Sequence, residues 1–266
     1  MGGSPIGAAD VIVAASRAEA IDAFGDGAGV AVLAGGTIVM PEITHGRLDA
    51  RRVVLIGRAG LSGVAEEDGR TVVGAGTTLA ELAGAGLEPL ATVAGRVADL
   101  EIREQATLGG NLCAPPGVES PRGDLQAALL VLDAQVRSAG AGGERSEPVE
   151  DVLASPGGRL VLDVAVLRPD AAAVTRVRRP HAHAYTVMQV CAARAGGELR
   201  VAVSGAGPHA VRLKAVEQAV AGGSDPESAA ARALDDVTPH DDALASGWYR
   251  GRVLPVLVRD ALNELG

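Results

Sequence analysis

The sequence predicts an α+β protein in two parts, and three observations carry that expectation. Short apolar runs alternate with helix signals, so that strand, helix and strand follow one another within about 45 residues near the N-terminus. Two Gly-Gly loops, Ala34-Gly35-Gly36-Thr37 and Thr107-Leu108-Gly109-Gly110-Asn111, interrupt the first part. After Pro169 the pattern changes to two strands joined across Gly196-Gly197, followed by helical stretches.

Val11 to Ala14 reads as the first strand. Ser16 with Glu19 three residues on is a capping-box signature, which predicts a helix from Arg17 to about Phe24, ended by the glycines between Gly25 and Gly29. Val30-Ala31-Val32-Leu33 is a short buried strand that runs into the first Gly-Gly loop and on to Ile38-Val39-Met40-Pro41. Val53 to Ile56 is a second buried strand.

Another unit opens near Leu61. Thr71 to Gly76 is a strand ending in Gly-Ala-Gly, and Thr78 to Ala83 a short helix. A dinucleotide-binding GxGxxG is not met there, because Leu79 holds the third glycine position and no acidic residue ends a strand about 20 residues later.

The second Gly-Gly segment reads as a turn, and Leu112 to Gly117, with two prolines, as a loop. Ser120 is expected to cap a helix with Pro121 at its first position and a buried stripe of Leu125, Ala128, Leu129 and Leu132. A hairpin follows, Ala134 to Ser138 returning after Gly140-Ala141-Gly142-Gly143. Leu160 to Val166 is a strand ending at Pro169, where a domain boundary is placed, with Asp170 to Ala173 as linker. In the last part, Tyr185 to Ala192 and Leu199 to Ser204 read as antiparallel strands. Helices are expected from Val211 to Ala221, Pro226 to Leu234 and Ser246 to Leu265, with Pro255 implying a kink or break in the last.

Composition narrows the function. The 266 residues are 47% apolar and can bury a large core. No apolar run reaches the roughly 18 residues of a membrane span, and no export signal opens the chain, so a cytoplasmic protein is expected. A net charge of −9 and only four aromatics, Phe24, Tyr185, Trp248 and Tyr249, argue against a nucleic-acid partner. Cys113 and Cys191 are too few for a four-cysteine iron–sulfur cluster or a disulfide framework. His181 and His183 lack a third metal ligand at useful spacing. No Ser-His-Asp set, carboxylate pair or HExxH motif supports hydrolysis, so neither catalytic nor metal-ligating residues are expected on this chain.

What remains is the glycine loops. A strand that delivers a Gly-rich turn to a helix start presents free amide N–H groups to a phosphate. A TxGGN segment alone is also what an unliganded tight turn looks like. Two such loops in one chain make a grip on a diphosphate from two sides the sharper expectation.

The AGGT at 34–37, the TLGGN at 107–111, and Ser120-Pro121 preceding Asp124 together resemble the FAD-binding medium subunit of the molybdenum hydroxylases, a family that includes carbon monoxide dehydrogenase and the xanthine dehydrogenases. The resemblance runs from about residue 30 to the C-terminus. It implies a two-subdomain FAD-binding module of the vanillyl-alcohol-oxidase (PCMH) type in residues 1–169, divided near residue 58. A smaller α/β domain with a three-stranded antiparallel sheet comes next, in 174–266.

Non-covalent FAD would lie extended between the subdomains. By resemblance, Leu33, Ala34, Gly35, Gly36, Thr37, Ile38 and Val39 with Ala106, Thr107, Gly109, Gly110 and Asn111 would line its diphosphate and ring. Cys113, Asp124 and Leu162 stand at further matching positions. A carboxylate at Asp124 suits sugar hydroxyls and would be repelled by phosphate, so it is expected away from the diphosphate.

The family also implies a large molybdenum-cofactor subunit and a small subunit with two iron–sulfur clusters, in a dimer of heterotrimers, with electrons leaving the flavin for NAD or another acceptor. A stand-alone FAD oxidoreductase and a flavin-less assembly relative would keep the same motifs. Two departures stand out. Additional residues separate Asn111 from Ser120, and where the family's C-terminal domain often offers the flavin a lysine, this chain has Thr175 and Arg176.

Overall fold

The computed structural model describes residues 10–115, 123–178 and 186–266, and three sheets organise them into an α+β fold. Chain order begins β1 (Asp10–Val13), α1 (Arg17–Phe24), β2 (Val30–Leu33), α2 (Val39–Thr44) and β3 (Arg52–Leu55). Both β1 and β2 pair parallel with β3, in the order β1-β3-β2. Parallel neighbours require crossovers, which is why helical segments separate these strands. Ser16 caps α1 by accepting the Glu19 N–H at 3.2 Å. The Glu19 carboxylate reaches back to the Ala15 N–H at 2.8 Å, one residue short of the partner a capping box would give it.

The second unit runs β4 (Val64–Glu67), β5 (Arg70–Gly74), α3 (Leu79–Ala83), α4 (Leu90–Ala94), α5 (Leu100–Arg103), α6 (Leu108–Leu112), α7 (Leu125–Val131), β6 (Gln135–Gly140), β7 (Gly143–Pro148), α8 (Val149–Ala154) and β8 (Arg159–Val166). Its five strands are antiparallel in the order β4-β5-β8-β6-β7. The TLGGN segment corrects the expectation of a turn: it is the short helix α6, capped by Thr107, and it takes in Leu112 from the expected loop. The Ser120 cap and Pro121 lie outside the described residues, as do His181, His183 and Tyr185. The helix expected after them is α7, and it is buried all round rather than along one stripe. One core explains this, because the apolar cluster around α7 continues into Cys191, Ala193 and Ala202 of the last unit.

That unit contains β9 (Ala171–Arg178), β10 (Thr186–Ala195), β11 (Glu198–Ser204), β12 (Val211–Arg212), α9 (Lys214–Ala221), α10 (Pro226–Ala230) and α11 (Gly247–Leu265). The sheet has four antiparallel strands in the order β12-β11-β10-β9, one more than expected. Val211 and Arg212 pair with Val203 and Ala202, so the helix expected from Val211 begins at Lys214. Ala171 to Ala173, expected as linker, pair with Ala192, Ala193 and Arg194 as the start of β9. Helix α10 stops at Ala230, four residues before the expected end, and turns follow it.

Helix α11 continues through Pro255 without a break. A proline ring inside a helix crowds the carbonyl four residues earlier, which here belongs to Gly251, a residue whose backbone tilts at little cost. Ser246 caps α11 by accepting the Tyr249 N–H. No helix among the described residues is long and apolar enough to cross a membrane.

An ionic knot joins the first unit to the second. Asp163 of β8 is buried and takes Arg17 of α1 at 3.3 Å and Arg137 of β6, while Arg17 also reaches Glu144 of β7 at 2.6 Å.

Candidate functional site

Between the first and second units lies a cavity of about 480 Å³. Thirteen of the fifteen residues expected to hold the cofactor line it: Ala34 to Val39, Ala106, Thr107, Gly109, Gly110, Asn111, Cys113 and Asp124. Leu33 and Leu162 do not. Leu162 packs with Phe24, Val54 and Leu160 in the core of the first unit, 1% exposed, and its carbonyl accepts the Ala75 N–H.

The two glycine loops meet backbone to backbone. A Cβ on Gly35 would overlap the Gln105 carbonyl, so only glycine lets the first loop lie against the segment leading into α6. Gly36 next to it sits at φ 75°, where the chain turns toward α2. Among the described residues the N–H groups of Gly35, Gly36, Thr37 and Ile38 donate to no protein acceptor. Four successive unspent donors on a cavity wall form a cradle for an anion such as a diphosphate.

The second loop works differently, and this corrects the idea of two equivalent grips. Its amides are spent on protein: Leu108 donates to the Thr77 carbonyl at 2.9 Å, Gly109 to Ala75 at 2.8 Å, Gly110 to the Thr107 hydroxyl and Asn111 to the Thr107 carbonyl. Neither Gly109 nor Gly110 has a positive φ. Gly109 is required by packing, since a Cβ there would fall 2.9 Å from the Ala75 Cβ. A Cβ on Gly110 would meet only the Thr107 hydroxyl, at 3.1 Å. Gly110 thus contributes bare backbone and room to the cavity. Asn111 accepts the Leu125 N–H at 2.8 Å, tying α6 to the start of α7.

Asp124 precedes α7, and its backbone carbonyl accepts from the Gln189 amide of β10 at 2.5 Å. Its carboxyl keeps some exposure to the cavity but is otherwise walled in by protein. Burial pushes its pKa up to about 7, against opposing pulls from its own backbone amide and the Arg176 guanidinium. At that value the group exchanges between a hydroxyl-accepting carboxylate and a donating acid near neutral pH.

Cys113 is exposed on the cavity wall, yet the protein packed around it pushes its thiol up to about 11, with Arg159 pulling the other way, so it stays protonated at neutral pH. Thr175, at the position where a lysine is missing, is spent elsewhere, donating to the Leu257 carbonyl of α11. The third unit's contribution to the cavity is instead Thr186.

Sequence reasoning missed Val97 and Ala98, Arg159 with Leu160 and Val161, and Thr186. They lie outside the two glycine loops and carry no local signal. Ala75, also on the wall, belongs to the Gly-Ala-Gly stretch that the sequence did mark.

A cavity between two α/β units, one wall a glycine loop with unspent amides, defines a module for an extended diphosphate-bearing cofactor. The chain belongs to the family described as FAD binding domain in molybdopterin dehydrogenase, whose pattern matches residues 7–181. It is an FAD-binding subunit of the molybdenum hydroxylase type of dehydrogenase.

Among its relatives is the 6-hydroxypseudooxynicotine dehydrogenase complex subunit alpha of Paenarthrobacter nicotinovorans, 26% identical over 280 residues that cover 96% of this chain and 93% of that protein. The xanthine dehydrogenase FAD-binding subunit of Escherichia coli O157:H7 is 32% identical over 151 residues, 54% of this chain and 50% of that protein. The fold is similar to that of carbon monoxide dehydrogenase from Oligotropha carboxidovorans, with a TM-score of 0.83 at 21% identity over 97% of this chain and 98% of that one. Quinoline 2-oxidoreductase from Pseudomonas putida 86 superposes with a TM-score of 0.82 at 20% identity, over 98% and 97% of the two chains.

Proposed function

We propose that this chain is an electron-relay subunit: it holds FAD in the cavity between its first two units, takes electrons from iron–sulfur clusters on a partner, and passes them to NAD or another acceptor. The observation that carries the reading is the row of unspent amides from Gly35 to Ile38 on the wall of a cavity that Gly110 also lines. FAD, when bound, supplies the one- and two-electron chemistry. The chain's own work is to bind and orient. The first loop's amides would take the diphosphate, Gly110 would leave room for it, and Asp124, set apart just before α7, would take sugar hydroxyls.

The donor in this reading lies on other chains. Among the described residues no group of three His, Cys, Asp or Glu side chains is placed to hold a metal ion. Substrate oxidation would occur at a molybdenum cofactor on a large subunit, and a small two-cluster iron–sulfur subunit would dock here through an interface of at least roughly 1,000 Å². A dimer of such heterotrimers is the expected assembly.

Native mass spectrometry of complexes from the source cells, with cofactor analysis, tests the reading. Recovery with both partners and one FAD per chain is expected. A free flavoenzyme with substrate turnover of its own, or a colourless protein that does not take up FAD on titration, would overturn it.

A further inference from the structure

The cavity wall formed by Val97 and Ala98 is built differently from the glycine loops. Ala98 sits at φ 43°, in the left-handed region that an L residue with a side chain avoids. Such a conformation persists where surrounding contacts over-determine it. Among those contacts are two bonds from one side chain: Arg103 Nη1 donates to the Val97 carbonyl and to the Ala98 carbonyl, each at 2.9 Å. The carbonyl just before them, on Arg96, accepts from Arg176 of β9 at 3.3 Å. Three successive carbonyls on the segment leading into α5 are therefore held by guanidinium groups.

Arg103 forms no ion pair among the described residues, so the clamp on these two carbonyls is its evident work. The Ala98 N–H donates to no protein acceptor among the described residues, and Ile102, on α5 beside Arg103, lines the same cavity.

We propose that Arg103 is a positioning residue for the FAD site: its clamp on the Val97 and Ala98 carbonyls fixes Ala98 in the left-handed conformation and so sets the shape of this wall. The inference rests on the reading that the cavity holds FAD. It predicts that the arginine is needed because residue 98 is not glycine, since glycine adopts positive φ without strain.

The test is the dissociation constant of FAD for the purified full chain, from flavin fluorescence, across a double-mutant square. Arg103→Ala is expected to weaken binding about tenfold, the scale of one lost conformational constraint. Arg103→Lys should fall between, because a lysine is a point donor without the planar fork. Ala98→Gly also trims a methyl from the cavity wall, so its own affinity is the reference: adding Arg103→Ala to it should weaken binding less than about threefold, where the same change in wild type costs about tenfold.

If Arg103→Ala fails to fold, Arg103→Lys against Ala98→Gly with Arg103→Lys makes the same comparison. Wild-type affinity in Arg103→Ala, or a loss as large in the Ala98→Gly background as in wild type, would overturn the positioning role with the cavity's function intact. A wild-type chain that binds no FAD would instead remove the cofactor reading, and this proposal with it.

Discussion

A methyl group added at Gly35 would overlap the Gln105 carbonyl, whereas one added at Gly110 would meet only the Thr107 hydroxyl. The two substitutions should therefore fail in different ways. Gly35→Ala is expected to destabilise the fold by about 2 kcal/mol through overpacking and to weaken FAD binding, because the loop must lift off its neighbour. Gly110→Val is expected to leave a soluble, folded protein and to abolish FAD uptake, since the new side chain occupies cofactor space. Urea midpoints and FAD titrations on both variants check the split.

That the two loops matter was legible in the glycines themselves. Which loop keeps its amides free was not, because the acceptors that spend the Leu108 and Gly109 N–H groups, the carbonyls of Thr77 and Ala75, lie some thirty residues away in sequence.

Asp124 gives the residue scale a pH dependence with a definite sign. Its folded pKa of about 7 stands above the ordinary value of 3.8 because burial penalises the charge. An acid raised in this way costs nothing below the unfolded value, where both states are protonated. It destabilises progressively as pH climbs from about 4 to 7, and the penalty is constant above that. In the FAD-free protein, Asp124→Asn should accordingly raise the Tm at pH 8 relative to wild type, with the gap closing toward pH 4. Calorimetric scans of both proteins across that range are the measurement, and a gap independent of pH would contradict it.

Among the elements, the ionic knot of Arg17, Asp163 and Arg137 ties the first unit to the second. Asp163 is the buried member, with 7% of its side chain exposed, while both arginines reach solvent. Asp163→Asn leaves two cations without their shared anion and is expected to cost about 2 kcal/mol, less than a fully buried pair because the arginines can turn outward. Urea denaturation followed by far-UV dichroism would show this, and Arg17→Ala should cost less because Arg137 remains on Asp163.

Element types were readable wherever the pattern was local, as in the parallel strands around Val53 and the capped helix after Ser16. The misreadings share a cause. β12 is a two-residue strand that exists only because β11 offers an edge, α6 is a glycine-rich helix only because Thr107 and the Ala75 carbonyl hold it, and α11 survives Pro255 with Gly251 beneath it.

At the scale of the whole molecule, the third unit is more than an appendage. Cys191, Ala193, Ala202 and Ala210 share one apolar cluster with α7 and the helices that carry the cavity's second wall. Polar bonds cross the same junction: Gln189 to the Asp124 carbonyl, the Ala210 N–H to Gln126, Arg96 to the Val174 carbonyl and Arg176 to the Arg96 carbonyl. If the FAD module is taken as residues 1–169, removing the third unit would strip α7 of its apolar cover and leave an exposed face of the kind that drives association. A chain truncated after Pro169 is therefore expected to aggregate or to bind hydrophobic dyes, and to lose FAD affinity together with its native packing. Sedimentation velocity and FAD titration on the truncated chain test this. A monomer that still takes up FAD as the full chain does would mean that the first two units build the site alone and that the third serves another purpose.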